Sequence, residues 1–213
     1  MTAAVKICGL KEPEHVAAAI EAGAALTGFV FFPPSPRSID IEQARALTAA
    51  VPEGVRKVAL TVDADDDLLS AIASGAGVDM LQFHGQESPA RVADARVRYQ
   101  LPIIKALPVA EAADVAAAKA YEFCADMILF DAKPPKDATR PGGNAETFDW
   151  DLLADLELGL PWMLAGGLTV DNVTDAVRRT HAEMVDVSSG VEDAPGQKSS
   201  AKIRAFIEAV KAA

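Results

Sequence analysis

Two polar residues at the ends of apolar runs carry the first chemical reading. Cys8 stands in Lys6-Ile7-Cys8-Gly9-Leu10, and Asp131 closes Met127-Ile128-Leu129-Phe130-Asp131. A thiol acts as a base only as its thiolate, and Lys6, two residues earlier on the same face of a strand, would favour that form. A carboxyl group emerging from an apolar strand is desolvated, which raises its pKa and lets it keep a proton near neutrality, ready to act as a general acid. Lys133, nearby in the chain, would oppose that shift. Taken alone, Cys8 reads as a small buried hydrophobe. A ring of strands that sets it opposite Asp131 makes it a candidate base.

Other strand ends offer binding groups. Gly166-Gly167, followed by Leu168-Thr169 and a helix pattern, exposes backbone N–H groups where no side chain crowds an approaching anion. Ser188-Ser189-Gly190 offers the same kind of donors after the last strand. Either pair reads alone as a tight turn, but side by side they form a candidate phosphate cradle. Asp186 alternates with Val185 and Val187, so it points the opposite way from both valines, into a closed sheet. A carboxylate there needs partners, either a structural cation or the hydroxyls of a sugar. Arg37, where the second strand region runs out, and His84, at the end of the fourth, complete the pocket-facing set. For His84, ligand contact and framework hydrogen bond stand equal. Cys124 reads as packing, His15 and His181 as helix neighbours, and Asp63 to Asp67 as a solvated helix start rather than a metal site.

These residues need a scaffold, and the hydropathy pattern supplies one. Eight short apolar runs, Val5 to Cys8, Leu26 to Phe32, Val55 to Val62, Met80 to His84, Ile103 to Leu107, Met127 to Asp131, Trp162 to Ala165 and Met184 to Val187, read as strands. They alternate with helix patterns over Glu14 to Ala22, Ile41 to Ala50, Asp66 to Ala73, Pro89 to Val97, Ala110 to Tyr121, Trp150 to Leu156, Val170 to Arg179 and Ser199 to Val210. Asp40, Ser88 and Thr169 precede three of these helices as candidate caps. Repeated strand-helix units specify parallel strands covered on both faces. Eight rounds predict a single-domain (β/α)₈ TIM barrel, whose polar strand ends face one pocket. The alternative, a doubly wound open sheet, lacks a Gly-x-Gly-x-x-Gly after the first strand. The irregular stretch Lys133 to Phe148, rich in proline and glycine, reads as a connector or a lid over that pocket.

Bulk properties narrow the function classes. A net charge of −11 offers no basic face for nucleic acid. No apolar run approaches the roughly 20 residues that span a bilayer, and no signal-peptide pattern opens the chain, so a soluble cytoplasmic protein is expected. Two cysteines without a Cys-x-x-Cys predict neither a disulfide framework nor a zinc site.

With these positions assembled, the whole chain resembles the phosphoribosylanthranilate isomerase family. The resemblance rests on Lys6-Ile7-Cys8-Gly9-Leu10, Phe31 to Arg37, Gln82-Phe83-His84-Gly85, Leu129-Phe130-Asp131, Phe148-Asp149-Trp150, Leu164 to Leu168 and Val185 to Glu192, extended by Pro195-Gly196 and Lys198. It implies an Amadori rearrangement of a phosphoribosyl anthranilate, with Cys8 as general base and Asp131 as general acid. It further implies Arg37 on the anthranilate carboxylate, Asp186 on the sugar hydroxyls, and the backbone of Gly166, Gly167, Ser189 and Gly190 on the phosphate. The implied chemistry needs no cofactor or metal. A small phosphosugar is the implied partner, with monomer and homodimer both open. Two departures stand out: Gly142-Gly143-Asn144-Ala145 where the family has Gly-Gly-Thr-Gly, and Ser199 where it commonly has aspartate. Related histidine-pathway isomerases, including dual-substrate forms, place an aspartate where Cys8 stands. A barrel that binds phosphosugar without turnover would need neither acid nor base.

Overall fold

The computed structural model describes residues 2–134, 141–143 and 146–213. Eight parallel strands close into a barrel in sequence order: β1 (Ala4–Cys8), β2 (Leu26–Val30), β3 (Arg56–Thr61), β4 (Met80–Phe83), β5 (Ile103–Val109), β6 (Met127–Ala132), β7 (Trp162–Leu164) and β8 (Met184–Val187). β1 pairs with both β2 and β8, which rules out the open sheet.

Side-chain alternation divides each strand between two cores. Inward residues such as Leu26, Val58, Met80, Ile104, Leu129 and Met163 fill the barrel. Outward ones such as Ile7, Phe29, Leu81, Ile103 and Phe130 pack under the helices. Parity therefore sends Lys6 and Cys8 inward with Asp186, and the register sets Lys6 directly opposite Asp186 and Cys8 opposite Gly28.

The helices are α1 (Pro13–Ala22), α2 (Ile41–Thr48), α3 (Asp66–Gly75), α4 (Pro89–Tyr99), α5 (Ala112–Ala116), α6 (Val173–Thr180) and α7 (Ser200–Lys211). Asp40 caps α2 in a reciprocal box: its carboxylate accepts from the Gln43 N–H at 2.8 Å, while the Gln43 side chain accepts from the Asp40 N–H. Ser88 accepts from the Arg91 N–H, with Pro89 opening α4.

Three expectations differ. Thr169 does not cap: its carbonyl takes the N–H groups of Asn172 and Val173, and that turn delays α6 until Val173. The helix expected over Ala110 to Tyr121 is five residues of α5 followed by a 3₁₀ segment, Ala117–Tyr121. The one expected over Trp150 to Leu156 is a 3₁₀ turn, Trp150–Leu153, whose start Asp149 ties down by accepting from the Asp151 N–H. A short hairpin, β9 (Glu192–Ala194) with β10 (Gln197–Lys198), follows β8 and was not anticipated.

Of the candidate lid, Lys133 to Phe148, positions 135–140, 144 and 145 lie outside the described residues. Among the described residues no helix is long and apolar enough to cross a membrane.

Candidate active site

The C-terminal strand ends surround one cavity, and eight of the nine predicted site residues line it: Cys8, Arg37, His84, Asp131, Gly166, Gly167, Asp186 and Ser189. Gly190 lies behind them, so close to the Leu168 carbonyl that any Cβ there would overlap it.

Cys8 packs among Val30 and Leu60. Gly28 beside it leaves the space for its sulfur, since a Cβ there would come within 3.0 Å of both Cys8 Sγ and Lys6 Nζ. Burial pushes the Cys8 thiol above its ordinary value; Lys6 and Lys198 pull it down and Asp186 pushes it up. Lys6 does favour the thiolate as expected, but its pull does not prevail in the resting site. Desolvation outweighs the cation, and the Lys6 ammonium donates to Asp186 Oδ1 at 2.9 Å, both groups being buried. Burial works against the charge on Lys6, but Asp186 and Cys8 together outweigh it and hold the lysine above its ordinary pKa. Asp186 thus has the structural cation and also faces the cavity.

On the other flank, His84 Nε2 stands 3.1 Å from Asp131 Oδ2, and the Ala132 N–H donates to Asp131 Oδ1 at 2.9 Å. His84 Nδ1 lies 3.1 Å from the Gln82 side-chain nitrogen. Gly142 closes over this pair; its Cβ would sit 2.5 Å from Asp131 Oδ2 and 2.8 Å from His84 Nε2. Lys133 turns away, half-exposed, toward Asp114 at 3.8 Å, so it does not face the carboxyl it was expected to oppose.

Arg37 crosses Gly9, whose φ of 77° and missing Cβ leave room for the arginine stem. Its Nε and Nη2 fork onto Glu192 at 2.7 and 2.8 Å. Lys198 reaches the same carboxylate at 2.8 Å and also donates to the Ser188 carbonyl, while the Ser188 hydroxyl donates to the Cys8 carbonyl. One carboxylate between two cations explains both shifts. Burial works against the Glu192 carboxylate, but the Arg37 and Lys198 contacts bring it down to about 2. Lys198, buried and sharing a single anion, falls to about 8.

Gly166 and Gly167 both have positive φ, 87° and 59°, which turns the chain sharply after β7. A Cβ on Gly166 would strike the Ala132 backbone, and one on Gly167 would strike Glu146 and Thr147. Asn172 holds the turn by donating to the Gly167 carbonyl and accepting from the Thr169 N–H. Ser189 opens a 3₁₀ turn, Ser189–Val191, on the adjacent side. The Asp63 to Asp67 run is a helix start: Asp65 caps α3, and Asp66 pairs with Arg91 and Arg98. Cys124 is buried packing away from the cavity.

A family model described as N-(5'-phosphoribosyl)anthranilate (PRA) isomerase matches residues 5–209. The N-(5'-phosphoribosyl)anthranilate isomerase of Cereibacter sphaeroides is 55% identical over 207 residues, 97% of this chain and 98% of the relative. The chain belongs to the N-(5'-phosphoribosyl)anthranilate isomerase family. The crystal structure of the phosphoribosyl anthranilate isomerase from Thermotoga maritima aligns with a TM-score of 0.89 at 33% identity, over 99% of this chain and 100% of that one. A phosphoribosyl anthranilate isomerase in complex with reduced 1-(o-carboxyphenylamino)-1-deoxyribulose 5-phosphate aligns with a TM-score of 0.85 at 31% identity, over 99% and 100% of the two chains.

For this member of the isomerase family, sequence reasoning missed Gly28, and took Gln82, Glu192 and Lys198 only as motif residues. Gly28 and Gln82 carried a readable signal, because strand parity sends both inward beside Cys8 and His84. Glu192 and Lys198 carried none, since their contact depends on the unanticipated hairpin.

Proposed function

We propose that this chain converts N-(5-phosphoribosyl)anthranilate to 1-(2-carboxyphenylamino)-1-deoxyribulose 5-phosphate, with Asp131 as general acid and Cys8 as general base. The observation that carries the reading is one cavity with a hydrogen-bonded carboxyl group on β6 and a buried thiol on β1, between Arg37 and the Gly166-Gly167 turn.

The Asp131 proton moves to the ribose ring oxygen as the C1–O bond breaks and its electron pair goes to oxygen. The anilino nitrogen lone pair forms the C1=N iminium. Cys8, as thiolate, removes the C2 proton that the iminium has acidified, and the C2–H electrons form the C1=C2 enolamine. Protonation at C1 and loss of the hydroxyl proton at O2 give the ketone. Protons alone balance the sequence.

Arg37, held on edge by Glu192, faces the anthranilate carboxylate. Asp186 receives sugar hydroxyls, and the N–H groups around Gly166, Gly167, Ser189 and Gly190 receive the phosphate. The partner is a small phosphosugar, and a cytoplasmic location accompanies that substrate class.

Purified protein given this substrate and the histidine-pathway phosphosugar side by side should quench the anthranilate-type fluorescence of the first and leave the second unchanged. A folded protein that leaves the fluorescence constant overturns the reading.

A further inference from the structure

Asp131 is 7% exposed, and after the acid step it is left as a buried carboxylate. A buried carboxylate is costly unless donors meet it. The Ala132 N–H meets Oδ1, and Oδ2 depends on His84 Nε2. A neutral imidazole has one N–H, so Nε2 donates only if Nδ1 is the bare nitrogen. The other tautomer would turn a lone pair toward the carboxylate and resist the proton transfer.

The choice falls to Gln82, which parity points into the barrel beside Met80 and which is fully buried. Its amide nitrogen lies 3.1 Å from His84 Nδ1, while its Oε1 is buried with no hydrogen-bond partner among the described residues. Rotating the amide by a half-turn would set Oε1 against Nδ1 and strand two N–H donors where Oε1 now lies. A buried carbonyl without a partner is better tolerated than buried N–H groups without one. The amide therefore donates to Nδ1, and Nε2 carries the imidazole proton.

We infer that Gln82 is a positioning residue that locks His84 in its Nε2–H tautomer, so that His84 donates to the carboxylate Asp131 becomes when it protonates the substrate. Resting on Asp131 as the acid, the inference assigns to a residue outside the cavity lining the direction of the hydrogen bond behind the acid. No proton leaves His84 in the step: the O–H bond of Asp131 breaks, and the Nε2–H bond persists throughout.

The chain has three histidines, so long-range ¹H–¹⁵N spectra of the imidazoles are simple to assign, with His84→Asn identifying the third set. The wild-type protein should show His84 protonated at Nε2 alone. Gln82→Met, close in shape but without the donor, should mix the tautomers and lower kcat by about 10- to 100-fold, the scale of one hydrogen bond to a charged group, with KM little changed. Gln82→Glu, which only accepts, should protonate Nδ1 and lower kcat likewise. A wild-type His84 protonated at Nδ1 overturns the inference, as does Gln82→Met with an unmixed Nε2–H tautomer and wild-type kcat. The spectra need no turnover. If Asp131→Asn keeps its activity, the acid assignment fails while the tautomer is still measured.

Discussion

The two flanks of the cavity prepare their proton-transfer groups in opposite ways. Cys8 on β1 sits among Val30 and Leu60, with its nearest cation already committed to Asp186. Asp131 on β6 has one donor aimed at each carboxylate oxygen. Burial is the largest influence on the base, ahead of the opposing charges of Lys6, Asp186 and Lys198, whereas the acid is met by hydrogen bonds. The acid flank is therefore built for the charged product of its step, whereas the base flank disfavours the charged form of its group, so the Cys8 thiol releases its proton to solvent before the sulfur can take the one from C2. The order of the reaction fits this division. Asp131 acts first, and the iminium it helps to create brings a positive charge beside the sulfur, adding to the pull of Lys6 and Lys198 that desolvation outweighs in the resting site.

Removing either group tests the comparison most severely. Cys8→Ala and Asp131→Asn should each lower kcat by about 10²- to 10⁴-fold, while binding of the reduced product analogue changes only slightly. A near-normal kcat in one variant would leave the cavity with a single working flank.

A matched pair of glycines offers a milder version. Gly28→Ala places a methyl group 3.0 Å from Cys8 Sγ and Lys6 Nζ, and Gly142→Ala places one 2.5 Å from Asp131 Oδ2 and 2.8 Å from His84 Nε2. Neither glycine has a positive φ, so alanine meets no backbone strain at either position and the effect reports on the crowded group. Each should lower kcat about tenfold, with Gly142→Ala the larger because its contact is tighter. Steady-state kinetics with circular dichroism as a fold control would decide it. A greater loss in Gly28→Ala would show the base flank to be the less adaptable of the two.

How much of this was readable in advance divides along the same line. The barrel followed from alternation, because a strand covered on both faces must be apolar along its length and the helices between must be amphipathic. Cys8 and Asp131 were visible because a polar residue ends an otherwise apolar strand. What surrounds them was not. The partner of Lys6 lies 180 residues away, and only barrel closure sets Asp186 opposite it. The sign of the Lys6 effect on Cys8 was read correctly, but not its weight: desolvation of the buried thiol exceeds the pull of the lysine, which is also bound to Asp186. Local signals failed where a turn competed with a helix, as at Thr169, whose backbone folds into the Asn172 turn, and at Trp150, where the chain forms a 3₁₀ turn that ends at Leu153.

The smallest effect concerns the resting charge on Cys8. Alkylation follows the thiolate, so its rate against pH traces the titration of the thiol. Desolvation raises the Cys8 pKa above the ordinary value of 9.0, and the opposing pull of Lys6 and Lys198 does not restore it. The thiolate fraction is then small from pH 7 to 8 and still climbing past pH 9. With a small alkylating agent, the rate of Cys8 modification, corrected for Cys124 with the Cys8→Ala variant, should rise across that whole range without a plateau. A plateau by pH 8 would mean that Lys6 stabilises the thiolate despite its bond to Asp186. In that case the base flank, like the acid flank, would be governed by its polar contacts, and the distinction between the two would be lost.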